Sequence, residues 1–177
     1  MKNLISAIVF ILAIVPIARA DYLKEVESLG YVSGTGLACD AKYYPAYETI
    51  VRAYILSAAR SDEEQAKGML AFNSAKAEAF ISKQQEDLWD CYELNERFNK
   101  QEILKTKVYK DGRLKMPKGE IITPRQAYDP RLVYDRNRNE REHFMELYER
   151  NIAEQKLQAQ KQGIYEKIRR AEMTGRY

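Results

Sequence analysis

Two cysteines, one histidine and a scatter of carboxylates are the side chains with which this chain could do covalent or proton-transfer chemistry. Cys39 and Cys91 stand alone, with no C-x-x-C pair, and a single imidazole leaves too few ligands for a zinc site. A Ser–His or Cys–His nucleophile would have to be built on that one residue, His143, which sits beside Phe144 in a highly charged stretch that reads as surface. Carboxylates are numerous enough for a two-carboxylate hydrolase. They fall mostly where a helix would face solvent, as at Glu86, Asp87 and Asp90. No calcium loop of the D-x-[DN]-x-[DN]-G kind is present. The glycines of Tyr31-Val32-Ser33-Gly34-Thr35-Gly36 lack the Gly-Lys-Ser/Thr of a phosphate loop, and read as a loop or short strand leading to Cys39. No catalytic residue, metal ligand or cofactor is assigned, and the chain is expected not to be an enzyme.

The compartment follows from the first twenty residues. Lys2 precedes an apolar run from Leu4 to Ile17, broken only by Ser6, and Ala18-Arg19-Ala20 supplies small residues at a cleavage site. This is the layout of a signal peptide cut between Ala20 and Asp21. The run is shorter than the ~20 residues of a comfortable membrane span, so no stable span is expected after cleavage. The protein should be exported: periplasmic in a Gram-negative bacterium, secreted otherwise. In an oxidising compartment Cys39 and Cys91 should form a disulfide. Closing a loop of about 50 residues stabilises by roughly 3–4 kcal/mol on the chain-entropy argument. Leu37-Ala38-Cys39-Asp40 has the look of a lipoprotein box, but about twenty residues separate it from the apolar run. Acylation would also orphan Cys91.

Charge is split along the chain. Residues 21–95 carry 13 acidic and 7 basic side chains, a net of −6, whereas residues 96–177 carry 13 acidic and 20 basic, a net of +7. Such halves can attract each other, within a molecule or between two. Export argues against nucleic acid as the partner of the basic half.

The elements that would position these groups are mainly α. Residues 21–30 suit a short helix ended by the glycines. Pro45 is placed for a first helical turn, and Tyr47, Ile50, Val51, Tyr54, Ile55 and Ala58 recur at helical spacing. Ser61 and Glu64 form a capping-box pair opening a second helix. It is expected to reach about residue 91, with a stripe of Ala66, Met69, Leu70, Ala77, Phe80, Ile81 and Leu88. The short link makes the two an antiparallel hairpin. Asp111-Gly112 signals a β-hairpin over 108–115. Residues 117–135 read as an extended connector. A long helix follows from about residue 138, with a thin stripe of Phe144, Leu147, Tyr148, Ile152 and Ala159, resumed by Ile164, Tyr165 and Ile168, and a bend at Gly163.

The fold class is therefore an antiparallel helical hairpin clamped by one disulfide, a small β-hairpin or extended connector, and a long C-terminal amphipathic helix. The expected divisions are a signal peptide (1–20), a disulfide-clamped helical domain (21–104), a connector (105–137) and a basic arm (138–177). Arg125, Tyr128, Arg131 and Tyr134 on the connector, and Phe144, Leu147 and Tyr148 on the arm, are residue types enriched at interfaces. They are the candidate partner-binding residues. The partner would be another envelope protein, or a second copy engaged through the C-terminal helix. In architecture alone, residues 39–91 resemble the acid-stress chaperones of the bacterial periplasm, which have no counterpart of the basic helix. The long helix is similar to minor pilus subunits of type IV secretion systems. The leading expectation is a non-enzymatic envelope protein acting through protein–protein interaction. The alternatives are a periplasmic stress chaperone and a carboxylate-dependent cell-wall hydrolase.

Overall fold

The computed structural model describes residues 17–136 and 138–173. The apolar run of the expected signal peptide lies outside the described residues apart from Ile17, while the Ala20–Asp21 bond falls within helical backbone. The chain divides into two compact units, residues 1–138 and 139–177.

The first unit is built on three helices: α1 (Ile17–Ala38), α2 (Tyr44–Ala58) and α3 (Asp62–Gln85). The expected break at Gly30–Gly36 does not occur, because packing overrides propensity there. Gly30 and Gly34, one turn apart, share a face of α1. A Cβ on Gly30 would overlap the Phe72 carbonyl oxygen, and one on Gly34 would overlap the Lys76 carbonyl oxygen. Backbone therefore lies on backbone, and Gly36 likewise gives room to the Phe98 ring. These contacts offset the ~1 kcal/mol that each glycine costs in a helix interior. They also set direction: Gly30 meets Phe72 and Gly34 meets Lys76, so α1 and α3 run parallel.

Helix α2 runs antiparallel to both. Tyr54 donates to Glu25 at 2.6 Å and the Tyr47 hydroxyl to the Leu29 carbonyl at 3.1 Å, while Lys76 pairs with Glu48 at 2.9 Å. Pro45 stands in the first turn of α2. Ser61 caps α3, accepting from the Glu64 N–H at 3.1 Å, and the Glu64 carboxylate accepts from the Arg60 N–H at 2.6 Å. Val26, Tyr47, Val51, Ile55, Phe72 and Phe80 form the core. The buried face of α3 is Gly68, Phe72, Lys76, Ala79, Phe80 and Lys83, which shares only Phe80 with the expected stripe. Leu70 is 69% exposed. Two buried lysines, Lys76 and Lys83, disguise the true face in the sequence.

The Cys39–Cys91 disulfide is present, with Cα atoms 5.1 Å apart, and clamps the α2–α3 hairpin. Helix α3 stops at Gln85 rather than near residue 91. The chain turns through Asp87 (φ 53°) and Leu88 (φ 58°), and α4 (Cys91–Asn99) begins at the second cysteine. Lys83 holds that turn, donating to Glu86 and Asp90 at 2.6 Å each. Burial alone would lower its pKa, but the bonds to Asp90 and Glu86 raise it. Asn95 on α4 donates to the Cys39 carbonyl at 2.9 Å.

Beyond α4 lies a three-stranded antiparallel sheet of order β1-β2-β3: β1 (Lys107–Val108), β2 (Leu114–Lys115) and β3 (Ile121–Ile122). Asp111-Gly112 makes the expected turn, with Gly112 at φ +87°. The expected connector contains β3, whose pairing of Leu114 with Ile122 follows a second turn at Gly119 (φ +92°).

The second unit is α5 (Glu140–Met173). Asn139 caps it, accepting from the Glu142 N–H at 3.2 Å. The helix passes Gly163 unbroken, so the expected bend is absent. Continuity separates the apolar residues into two groups. At 3.6 residues per turn, Leu157, Ile164 and Ile168 lie roughly 180° round the axis from Phe144, Tyr148 and Ile152. They do not resume one stripe.

The glycine contact yields a direct test. Gly34→Ala should destabilise by about 1–3 kcal/mol, because the added methyl forces two backbones apart. Gly163→Ala, where no heavy atom lies within 4 Å, should stabilise. The size of that gain should be about 1 kcal/mol. Urea midpoints of the two variants moving in the same direction would refute the close-contact account.

Candidate functional site

Two polar constellations stand out in the first unit: one sealed in the core and one open to solvent. In the sealed one, Glu48 is fully buried and accepts from Ser33, from Arg52 Nε at 2.7 Å and from Lys76 Nζ at 2.9 Å. Lys76 is also fully buried and lies over the Tyr44 ring at 5.2 Å. Aromatic faces meet the guanidinium as well, with Arg52 over Phe72 at 5.5 Å and over Tyr134 at 5.7 Å. No substrate can reach Ser33, Glu48 and Lys76, which have zero exposure, so they act as a polar lock between α1, α2 and α3. Sequence reading missed it, although Glu48 and Arg52 are an i,i+4 pair and Lys76 continues the Gly68–Phe72 spacing.

The open constellation is a groove of about 730 Å³ lined by Thr49 of α2, by Val108, Tyr109 and Lys110 of the first strand and its turn, and by Asp129 through Leu132 with Tyr134, Asp135 and Arg136. A second hollow of about 470 Å³, lined by Leu56, Asp62, Arg125, Tyr128 and Val133 among others, adjoins it through Asp129 and Leu132. The four candidate residues of the connector thus come together: Arg131 and Tyr134 line the first hollow, Arg125 and Tyr128 the second.

Their environments differ. Arg125 pairs with Asp62 at the start of α3. Tyr128 pins the fold. Its hydroxyl donates to the Ala53 carbonyl at 3.1 Å and lies 2.9 Å from Ser57 Oγ. Its ring occupies the space that a Cβ on Gly112 would need. Burial pushes the Tyr128 phenol up, against a lowering by the Ser57 bond. Asp129 caps a 3-10 turn at Pro130–Leu132, accepting from the Arg131 N–H at 3.0 Å and from the Arg131 guanidinium at 2.5 to 3.0 Å. Those bonds hold its carboxyl down at about 2. Tyr134 stands edge-on to Tyr44 at 6.5 Å. Leu132, shared by both hollows, is 84% exposed.

Strand β1 forms one wall of the groove, and its outer edge is unpaired among the described residues. Tyr109 N–H donates to the Arg113 carbonyl at 2.8 Å, toward β2. Strand alternation then points the backbone N–H and C=O of Val108 away from β2. Val108 lines the groove.

On α5, Phe144, Leu147 and Tyr148 share a face and are buried or half-buried, whereas every described side chain from Ala153 to Met173 is exposed. His143 is exposed, edge-on to Phe144 at 5.8 Å. Of the carboxylates weighed for catalysis, Glu86 and Asp90 are tied to Lys83 and Asp87 is exposed. Among the described residues no three His, Cys, Asp or Glu side chains are placed to hold a metal ion. No helix among them is long and apolar enough to cross a membrane. The chain matches no family model, no curated protein and no solved structure.

Proposed function

We propose that this is an exported, non-enzymatic protein of the cell envelope whose work is to bind another protein. The observation that carries the reading is the free edge of β1 beside a groove. An extended segment can add to such an edge through main-chain hydrogen bonds and set alternate side chains into the hollows alongside. Tyr109, Pro130, Leu132 and Tyr134 offer apolar contact there. Lys110 and Arg136 favour acidic side chains on the incoming strand. Export rests on the N-terminal sequence and on the disulfide.

The groove does contain two carboxylates, Asp129 and Asp135. A hydrolase of that design needs one of them to hold a proton near neutral pH. Asp129 is committed to Arg131 and stays ionised down to about pH 2, which favours binding over hydrolysis.

Cross-linking in the native envelope followed by affinity capture tests the reading. Wild-type protein should recover a defined partner. Val108→Pro removes an outward N–H without touching the β1–β2 ladder, and Leu132→Asp puts a charge on the exposed rim. Each variant should keep its circular dichroism and lose the partner. Recovery of the same partner by both would refute the groove. Recovery of a form retaining Met1 would refute export by a cleaved signal.

A further inference from the structure

A second apolar hollow lies on the outer face of the parallel α1–α3 pair, away from the groove proposed above. It has a volume of about 700 Å³. Small residues, Ala71, Ser74 and Ala75, floor it, and Leu23, Tyr31 and Leu70 flank them. Tyr31 is 53% exposed and Leu70 69% exposed. The same chain carries an apolar helix face whose side chains are exposed. On α5, Leu157, Ile164 and Ile168 are 50%, 56% and 48% exposed and lie on one side.

We infer that the second half of α5 docks into the α1–α3 hollow of a second copy of this chain. Three observations fit this occupant. Length matches: from Leu157 to Ile168 the arm spans eleven residues, about 16 Å, and so does the hollow along α3 from Lys67 to Glu78. Spacing matches: anchors at i, i+7 and i+11 on one helix face are the pattern by which an amphipathic helix fills a groove between two others. Charge matches: Glu27 and Glu78 border the hollow and have no ion-pair partner among the described residues, while Lys161 and Lys167 on the arm likewise have none. Lys67, the one base lining the hollow, is already held by Glu63 at 2.6 Å. Small floor residues let the incoming helix approach closely.

Hollow and arm are different surfaces, so a single contact leaves a free arm on one copy and a free hollow on the other. Two copies exchanging arms satisfy both, and a contact that does not close in this way repeats into a larger ring or a filament. This assembly is independent of the partner groove.

Sedimentation of the purified protein over a range of concentration tests it. Mass should grow with concentration beyond that of one copy and fall as salt is raised. Ile164→Asp/Ile168→Asp on the arm and Leu70→Lys/Ser74→Arg in the hollow change exposed residues. Both double variants should keep wild-type helicity, and each should weaken self-association by roughly tenfold or more. Mixed together they should form a one-to-one pair and nothing larger, because one intact arm then meets one intact hollow. Val108→Pro should assemble like wild type. A protein monomeric at every concentration overturns the inference. So does a dimer that the hollow variant still forms, which would mean that arms pair with arms, and so does a mixture of the two blocked forms that does not associate.

Discussion

Glu48→Ala is expected to lower the stability of the folded protein by about 3–5 kcal/mol, among the largest losses any single exposed-to-core comparison in this molecule should give. The carboxylate has no exposure and takes hydrogen bonds from Ser33, Arg52 and Lys76. Its removal takes from the Lys76 ammonium, also at zero exposure, the carboxylate with which it pairs at 2.9 Å. Arg52, 15% exposed at its side chain, can turn toward water; Lys76 cannot. The loss should therefore be carried mainly by the lysine. The paired change Glu48→Leu/Lys76→Met removes both charges together and should restore most of the stability, since a well-packed apolar pair is often as stable as the ion pair it replaces. Urea titration reads the cycle, with the midpoint of Glu48→Ala falling by about 2 M. If the double variant is as unstable as the single one, the buried charge is not the origin of the loss.

Breaking the Cys39–Cys91 bridge should have a comparable effect. With 52 residues of sequence separation, the chain-entropy argument gives a loss. Its size should be about 4 kcal/mol at 25 °C. The bridge anchors a turn between α3 and α4 that carries two non-glycine residues at positive φ. Lys83 with its two carboxylates, the Asn95–Cys39 bond and backbone hydrogen bonds such as Leu88 N–H to the Lys83 carbonyl also hold that corner. Cys39→Ser/Cys91→Ser, compared with the oxidised protein by thermal and urea unfolding, measures the loss. Equal midpoints with and without reductant would show that the unfolded chain is already confined there.

Much of this architecture can be read from residue types. The cysteine pair, the Ser61 cap, the Asp-Gly turn and the helical spacing of Tyr47 to Ala58 each carry a local physical cause, and each appears in the structure. What could not be read depends on neighbours distant in the chain. Gly30, Gly34 and Gly36 break helices when considered locally, and become helix contacts once α3 lies against them. Lysine is ordinarily a solvent-facing residue, yet Lys76 and Lys83 become core once Glu48 and Asp90 arrive. Strand β3 has two residues and no signal of its own; it exists because β2 offers an edge. The candidate groove was legible as four residue types on a connector. Its free strand edge was not, since that needs the direction of the Tyr109 N–H.

The bridge also fixes how this molecule would respond to being pulled. Cys39 closes the end of α1 and Cys91 opens α4, so tension entering through α1 passes across the sulfurs to α4. Helices α2 and α3 hang outside that route as an unloaded loop. A force that would unravel a reduced chain cannot lengthen residues 40–90, and the extension so withheld is about 180 Å at roughly 3.5 Å per residue. A protein held between two envelope partners would thus keep the Glu48–Lys76 pairing of α2 and α3 inside an unloaded loop, while α1, with its side of the hollow, carries the tension.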